Sequence, residues 1–500
     1  MAKSFQTPGV YINEINAFGN SIVPVPTAVP AFIGYTEKAL LDKKDLTHVP
    51  VRISSLAEYH FYFGAASKPI YKFKTAKNAK TFELVEPTGR YLLYDTLKLF
   101  FANGGSDCYI VSIGNYSTPV RKDDMDGEAL DAQQQIVLKG IRALTKEQEA
   151  TLVVIPDAVL LSAEDCAVIQ RAMLEHCGTL RNRMAILDVH NGFNQDPKSD
   201  AIEQFRASVV DHLQWGAAYY PWVHTTITSL DALDFTSIEE TSRTDFMAAL
   251  NAEVDASKVV DIKHANALKA EINKISTAKE DEIGILHKAL LNLSPLYKTV
   301  MVSLQEQINL LPPSAGIAGI YAQTDNNIGV FHAPANVSIN SVLRPAIEIT
   351  DEIQEDLNTP LSGKAVNAIR TFPGKGTLIW GARTLDGNSL DWRYIPIRRT
   401  VTFIEQSIKY GIAPYVFSPN SAATWINPKA MITNFLTNMW QRGGLAGATP
   451  DEAFAVAIGL GETMTHADVL NGKMRIVINV ALTHPAEFIV LTFEQQMQQS

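Results

Sequence analysis

Apolar and polar positions along the chain fall into distinct textures. Residues 1–35 set short β-prone runs, Val10-Tyr-Ile12 and Ala31-Phe-Ile33, among Pro8, Pro24, Pro26 and Pro30 and Gly9, Gly19 and Gly34. Proline removes ladder donors and glycine breaks helices, so this stretch predicts an extended arm with isolated strand segments. From about residue 54 to 231 the pattern is α/β. The run 90–101 has helical spacing and stops at Asn103-Gly-Gly105, a C-capping sequence. Continuous apolar runs at 108–111, 151–155 and 184–189, alternating with a helical pattern at 163–176, predict a largely parallel sheet covered on both faces.

Between residues 231 and 294 the texture changes. Here 19 of 64 residues are charged, with no proline and one glycine, Gly284. Alanine, lysine and glutamate with spaced Leu and Ile predict two or three helices, read as an insertion on the solvent side. After Leu311-Pro-Pro313 the α/β pattern returns. Helices are expected at 402–410 and 431–442, and strands at 474–481 and 487–493. Both chain ends therefore offer strand-forming tails, and an unpaired Val-Tyr-Ile edge would be sticky.

Composition narrows the function. At 500 residues the length suggests about three domains. Hydrophobic residues make up 46 % and charged residues 19 %, so there is ample apolar surface to bury. The net charge of −10 argues against a nucleic-acid partner, which needs a basic field. Cys108, Cys166 and Cys177 are too scattered for a disulfide framework or a zinc site, and read as buried thiols. The first residues lack the apolar core of a secretory signal, and no run nears the roughly 20 residues of a bilayer span, so no direct membrane insertion is expected.

A search for chemistry finds no signature. Pro373-Gly-Lys-Gly-Thr377 lacks the Ser or Thr that must follow the lysine of a phosphate loop, and Gly363-Lys364 is followed by alanine. Gly316-Ile-Ala-Gly319 has no third glycine at dinucleotide spacing. Asp157, Asp188 and His190 lie at apparent strand ends, where an α/β sheet places a site, which leaves an α/β-hydrolase-like enzyme as the alternative reading. No cofactor or metal is expected. The combination of extended tails with no catalytic motif suits a building block that pairs strands with its neighbours.

The residues themselves resemble the contractile tail sheath proteins of phages and related injection systems. The opening, Thr7-Pro-Gly-Val-Tyr-Ile-Asn-Glu14 followed by residues 25–34, carries this resemblance. So do residues 100–110, Val154-Ile-Pro-Asp-Ala158, residues 312–325 and Phe331-His-Ala-Pro-Ala-Asn336. Toward the C-terminus the landmarks are Phe372-Pro-Gly-Lys-Gly376, Trp380-Gly-Ala-Arg-Thr384, Trp392-Arg-Tyr394, Arg398-Arg399, Ile404-Glu-Gln-Ser-Ile408, Phe417-Ser-Pro-Asn420 and Pro485-Ala-Glu-Phe488. The chain departs from the family at residues 455–461, where a Cys-Asp pair is expected.

The resemblance implies a non-enzymatic, self-assembling α/β subunit with four regions. These are an N-terminal arm (1–35), an α/β sheath domain (36–340) with a helical insertion at about 231–300, a C-terminal domain near the inner tube (341–484), and a C-terminal strand arm (485–500). It implies hexameric rings stacked around an inner tube protein, with baseplate and terminator partners, assembled in the bacterial cytoplasm. Contraction would use energy stored in metastable packing. By the same analogy Val10, Tyr11, Ile12 and Glu14, with Glu487, Phe488, Ile489, Val490 and Phe493, are the strand-exchange residues. Gly19 and Pro24 are arm hinges, and Arg398, Arg399, Glu405 and Lys409 are the candidate tube contact.

Overall fold

The computed structural model describes residues 21–75, 82–130, 135–196, 200–256 and 262–488. The chain divides into two compact units. One comprises Pro26–Thr402 with Pro485–Ser500, and the other comprises Met1–Val25 with Phe403–His484.

The larger unit is built on a nine-stranded sheet. Its strands are β1 (Pro30–Thr36), β2 (Val51–Ile53), β3 (Cys108–Asn115), β4 (Leu152–Val154), β5 (Met184–Asp188), β6 (Gly216–Tyr220), β7 (Val337–Ser338), β8 (Asn367–Phe372) and β9 (Gly376–Trp380). Their spatial order is β7-β9-β8-β6-β5-β4-β1-β3-β2. The six strands from β8 to β3 are parallel, with Ala31 opposite both Val153 and Tyr109, and Tyr219 opposite Asn367. Antiparallel strands close both edges.

Side chains of a strand alternate between faces, and the sheet sorts its core accordingly. Ala31, Ile33, Val153, Leu187 and Ala218 face one cluster with Ile169 and Met173 of helix Ala163–Leu180. Phe32, Val154, Ile186 and Tyr219 face the other, against Leu97 and Phe100 of helix Leu93–Ala102 and Ile317 and Tyr321 of helix Ser314–Asn327. This is the two-faced parallel sheet that the apolar runs predict.

Two boundaries differ from the sequence reading. Strand β1 lies in the middle of the sheet and is buried throughout, so residues 30–35 belong to the body and not to an arm. Likewise β8 and β9 share the sheet with β1, so a division at 341 would cut through one core. A boundary drawn from local texture cannot see that strands 300 residues apart are hydrogen-bonded in one sheet.

The insertion has its own core. Four helices, Glu240–Ala256, Ile262–Asn273, Glu280–Leu293 and Pro295–Ile308, bury Phe246, Leu250, Ile272, Leu290, Tyr297 and Leu304 together. Tyr71 and Phe73 complete that core from the hairpin Ile70–Thr75/Phe82–Thr88. The fourth helix starts at Ser294, whose hydroxyl accepts from Tyr297 N, with Pro295 at the first helical position.

In the smaller unit, a helix spanning Ile395–Ile412 contributes its C-terminal half from Phe403 onward. Helix Ala422–Gln441 buries Met431, Ile432, Phe435, Leu436 and Met439. It continues through Pro428, which is why the sequence pattern places its start too late. A two-stranded ribbon, β10 (Phe454–Ala457) antiparallel to β11 (Val477–Val480), completes the unit.

Candidate assembly site

Of the expected arm residues, Val10, Tyr11, Ile12, Glu14, Gly19, Ile489, Val490 and Phe493 lie outside the described residues. The roots of both arms are described, and each is held within one unit.

At the N-terminal root, Ile22 is buried against Gly411, where an added Cβ would come within 2.7 Å of Ile22 Cγ1. Three residues on, Val25 N donates to Ser407 Oγ at 3.2 Å. Pro24, the expected hinge, is exposed between these two seated residues. One residue beyond Val25 the chain enters the larger unit. There Thr151 Oγ1 donates to Thr27 O and accepts from Val29 N, each at 2.8 Å.

At the C-terminal root, Glu487 lies against the larger unit. Arg383 Nε is 2.9 Å from its Oε1 and Arg383 Nη2 is 2.5 Å from its Oε2, while Tyr394 Oη donates to Oε2 at 3.3 Å. Burial, the largest single influence, would raise the Glu487 pKa, but hydrogen bonds from Arg383, Asn358 and Tyr394 together with the Arg383 charge hold the carboxyl below its ordinary range. Residues 487 and 488 form no strand within their own chain. The side chain of Glu487 is therefore held at the root of the C-terminal arm.

The expected tube contact separates into two pairs. Arg398 and Arg399 are only 4 % and 5 % exposed, which removes them from a surface charge patch. Arg398 lies between Trp215 and Trp392, 4.2 Å and 4.1 Å from their ring centroids. Arg399 binds both oxygens of buried Asp325, with Nη1–Oδ1 at 2.9 Å and Nη2–Oδ2 at 2.5 Å, and donates to Thr27 O at 3.0 Å. The bidentate carboxylate and the stacked indoles are each matched to a planar guanidinium. Their partners lie 74 or more residues away in sequence (Asp325, Trp215), apart from Trp392, so sequence alone left the arginines as apparent surface charge. Glu405 and Lys409 are exposed, one turn apart on the helix.

The strand-end residues of the enzyme alternative are engaged in holding backbone. Buried Asp157 accepts from Tyr35 N at 2.9 Å and Leu92 N at 2.6 Å. Gly34 allows this approach, since a Cβ there would be 2.5 Å from Asp157 Oδ2. Buried Asp188 accepts from both Ser314 N and Ser314 Oγ at the start of helix Ser314–Asn327. Nε2 of His190 lies 3.0 Å from Leu161 O. Among the described residues no group of three His, Cys, Asp or Glu could hold a metal ion, and no helix is long and apolar enough to cross a membrane.

The smaller unit carries the features of a surface meant for partners. Among the described residues its ribbon has two strands, and none of the residues Phe454–Ala457 and Val477–Val480 is fully buried. Two strands alone are marginal in water, and among the described residues no further strand pairs with their outer edges. Tyr410, Val416, Phe417, Ile426 and Leu470 stand exposed in the same unit, Phe417 with a left-handed φ of 70°.

These features define a structural protein built to associate, and comparison with known proteins agrees. Residues 388–496 match the phage tail sheath C-terminal domain. No curated protein matches the chain. Among solved structures, the contracted sheath complex of PVC, an extracellular contractile injection system, is 25 % identical over 99 % of each chain, with a TM-score of 0.60. The contracted helical sheath of the anti-feeding prophage (AFP) is 27 % identical over 99 % of this chain and 100 % of that one, with a TM-score of 0.58. A chain of the AFP baseplate structure is likewise 27 % identical, with a TM-score of 0.57. Residues 388–496 thus carry a phage tail sheath C-terminal domain, and the chain is similar along nearly its whole length to sheath chains of contractile injection systems.

Proposed function

We propose that this chain is the subunit of a contractile sheath. It stacks as hexameric rings around an inner tube, is held extended by a baseplate and capped by a terminator, and contracts to drive the tube through a target membrane. The energy is stored in the packing at assembly, and the subunit is not an enzyme. The observation that carries this reading is whole-length likeness to sheath chains of two extracellular injection particles. That likeness favours an extracellular injection particle, assembled in the bacterial cytoplasm, over a phage tail.

The arms supply the connections. Residues 10–14 of one subunit and the strand-prone residues after Glu487 of another add to the open edges of a neighbour's ribbon β10–β11, by strand addition. Backbone ladders suit this task because they tolerate rotation of the bodies they join. Glu405 and Lys409 are the remaining candidates for the tube contact, on an exposed helix face.

Negative-stain microscopy of the purified chain tests the assembly, with ribbed hollow tubes as the expected result. A strictly monomeric chain at high concentration would refute it. Deleting residues 1–19 is expected to leave a folded monomer that forms no tubes, and unchanged tubes would refute the role of the N-terminal arm.

A further inference from the structure

Glu487 is the single charged residue in the apolar stretch 485–493. Its receptor is built from the sheet outward. Asn367, in strand β8, donates from Nδ2 to Ala218 O of β6 at 3.1 Å and to Arg383 O at 2.8 Å, and accepts from Arg383 N at 2.7 Å. The Arg383 backbone is thereby fixed to the two strands. Its side chain is buried, donates from Nη1 to Asn358 O at 2.9 Å, and presents Nε and Nη2 as a fork to the Glu487 carboxylate.

A fork fixes both distance and direction, which a single ammonium would not. A buried pair of this kind adds little net stability, because desolvation offsets the attraction, and its contribution is a defined geometry. Geometry matters for a strand donor, since a slip of one residue turns every side chain to the opposite face.

We infer that Glu487 is a positioning residue for sheath assembly. Clamped by Arg383, it fixes the position and direction of the chain at Phe488, so that the strand-prone residues that follow are offered to a neighbour's ribbon in one register. This rests on the reading of the C-terminal segment as a strand donor.

The test uses the full chain with E487Q, E487D and R383K. The last two keep both charges: E487D shortens the reach of the carboxylate, and R383K removes the fork together with the bond to Asn358 O, so neither leaves a buried charge without its counter-charge, as E487Q does. Two quantities are measured for each: melting of the unassembled subunit, and the concentration giving half-maximal tube formation well below that melting temperature. E487D and R383K are expected to raise that concentration at least tenfold while the subunit stays folded. A merely structural role predicts assembly loss only where the subunit itself melts, and wild-type assembly by both variants overturns the inference. A chain ending at Phe488 separates the two claims. If it assembles like wild type, the strand-donor reading fails and takes the inference with it. If it fails to assemble while the three substitutions assemble normally, the donor reading stands and the positioning role falls.

Discussion

At the scale of single residues, the polar groups buried in the sheet act as fasteners, and two of them titrate in an accessible range. Burial pushes the Asp188 carboxyl up to about 7, against the pull of hydrogen bonds from Ser314. Burial raises Asp157 to about 6, against backbone donors led by Leu92. A carboxyl with a raised folded-state pKa contributes stability that is complete below its unfolded value near 4 and is lost as pH rises through the folded value. The contribution of these two carboxyls to stability therefore falls as pH rises from about 4 to 7. D188N should flatten that slope by up to about 1.4 kcal/mol per pH unit, as read by urea unfolding across the pH series. Such residues were visible in the sequence as strand-end carboxylates, but their purpose was not. Whether Asp188 meets a substrate or Ser314 depends on a helix start 126 residues away.

At the scale of elements, helix Ile395–Ile412 shows what periodicity can and cannot supply. Its apolar spacing marks the helix, and Gly411 near its end reads as a stop signal. In the folded unit Gly411 instead opens a notch for Ile22. Replacing it with leucine should unseat the N-terminal root, because the new side chain occupies the space of Ile22. Protease cleavage after the root should accelerate several-fold in G411L, while the larger unit melts as before; equal cleavage rates would show that the notch does not hold the root. The parallel strands β4 and β5 were legible because both faces are apolar. The C-terminal helices were legible in type but not in extent, since proline disfavours a helix interior and the helix nevertheless runs through Pro428, while Arg398 and Arg399 carry charge on a buried part of theirs. The ribbon's significance was not legible at all, because an open edge is a property of pairing and not of local sequence.

At the scale of the whole molecule, the decorations are separable. Residues 70 and 88 are paired at the base of one hairpin, and Thr228 N donates to Asn309 Oδ1 at 2.8 Å across the base of the insertion. Each segment thus leaves and re-enters the body between residues already in contact, yet the two share one core through Tyr71 and Phe73. Excising residues 230–308 alone, with a short glycine linker, should expose that core face and give aggregation. Excising residues 71–87 as well should restore a soluble chain with the main sheet intact, as seen by size-exclusion chromatography and circular dichroism. If the single excision is as soluble as the double, the shared core is not what ties the segments together. Charge density flagged the insertion in the sequence; its dependence on a hairpin some 160 residues earlier could come only from the fold.

The assignment of each chain end to a unit made largely from the rest of the sequence has a mechanical consequence. The polypeptide passes between the units at 25/26, at 402/403 and again at 484/485. Three covalent tethers therefore join two bodies made from one chain. Cutting any one leaves the other two, and the described roots at 21–25 and 485–488 belong to different bodies. Within one subunit, a pull between the two bodies is thus shared by three covalent links, so separating them fully requires more than one to fail.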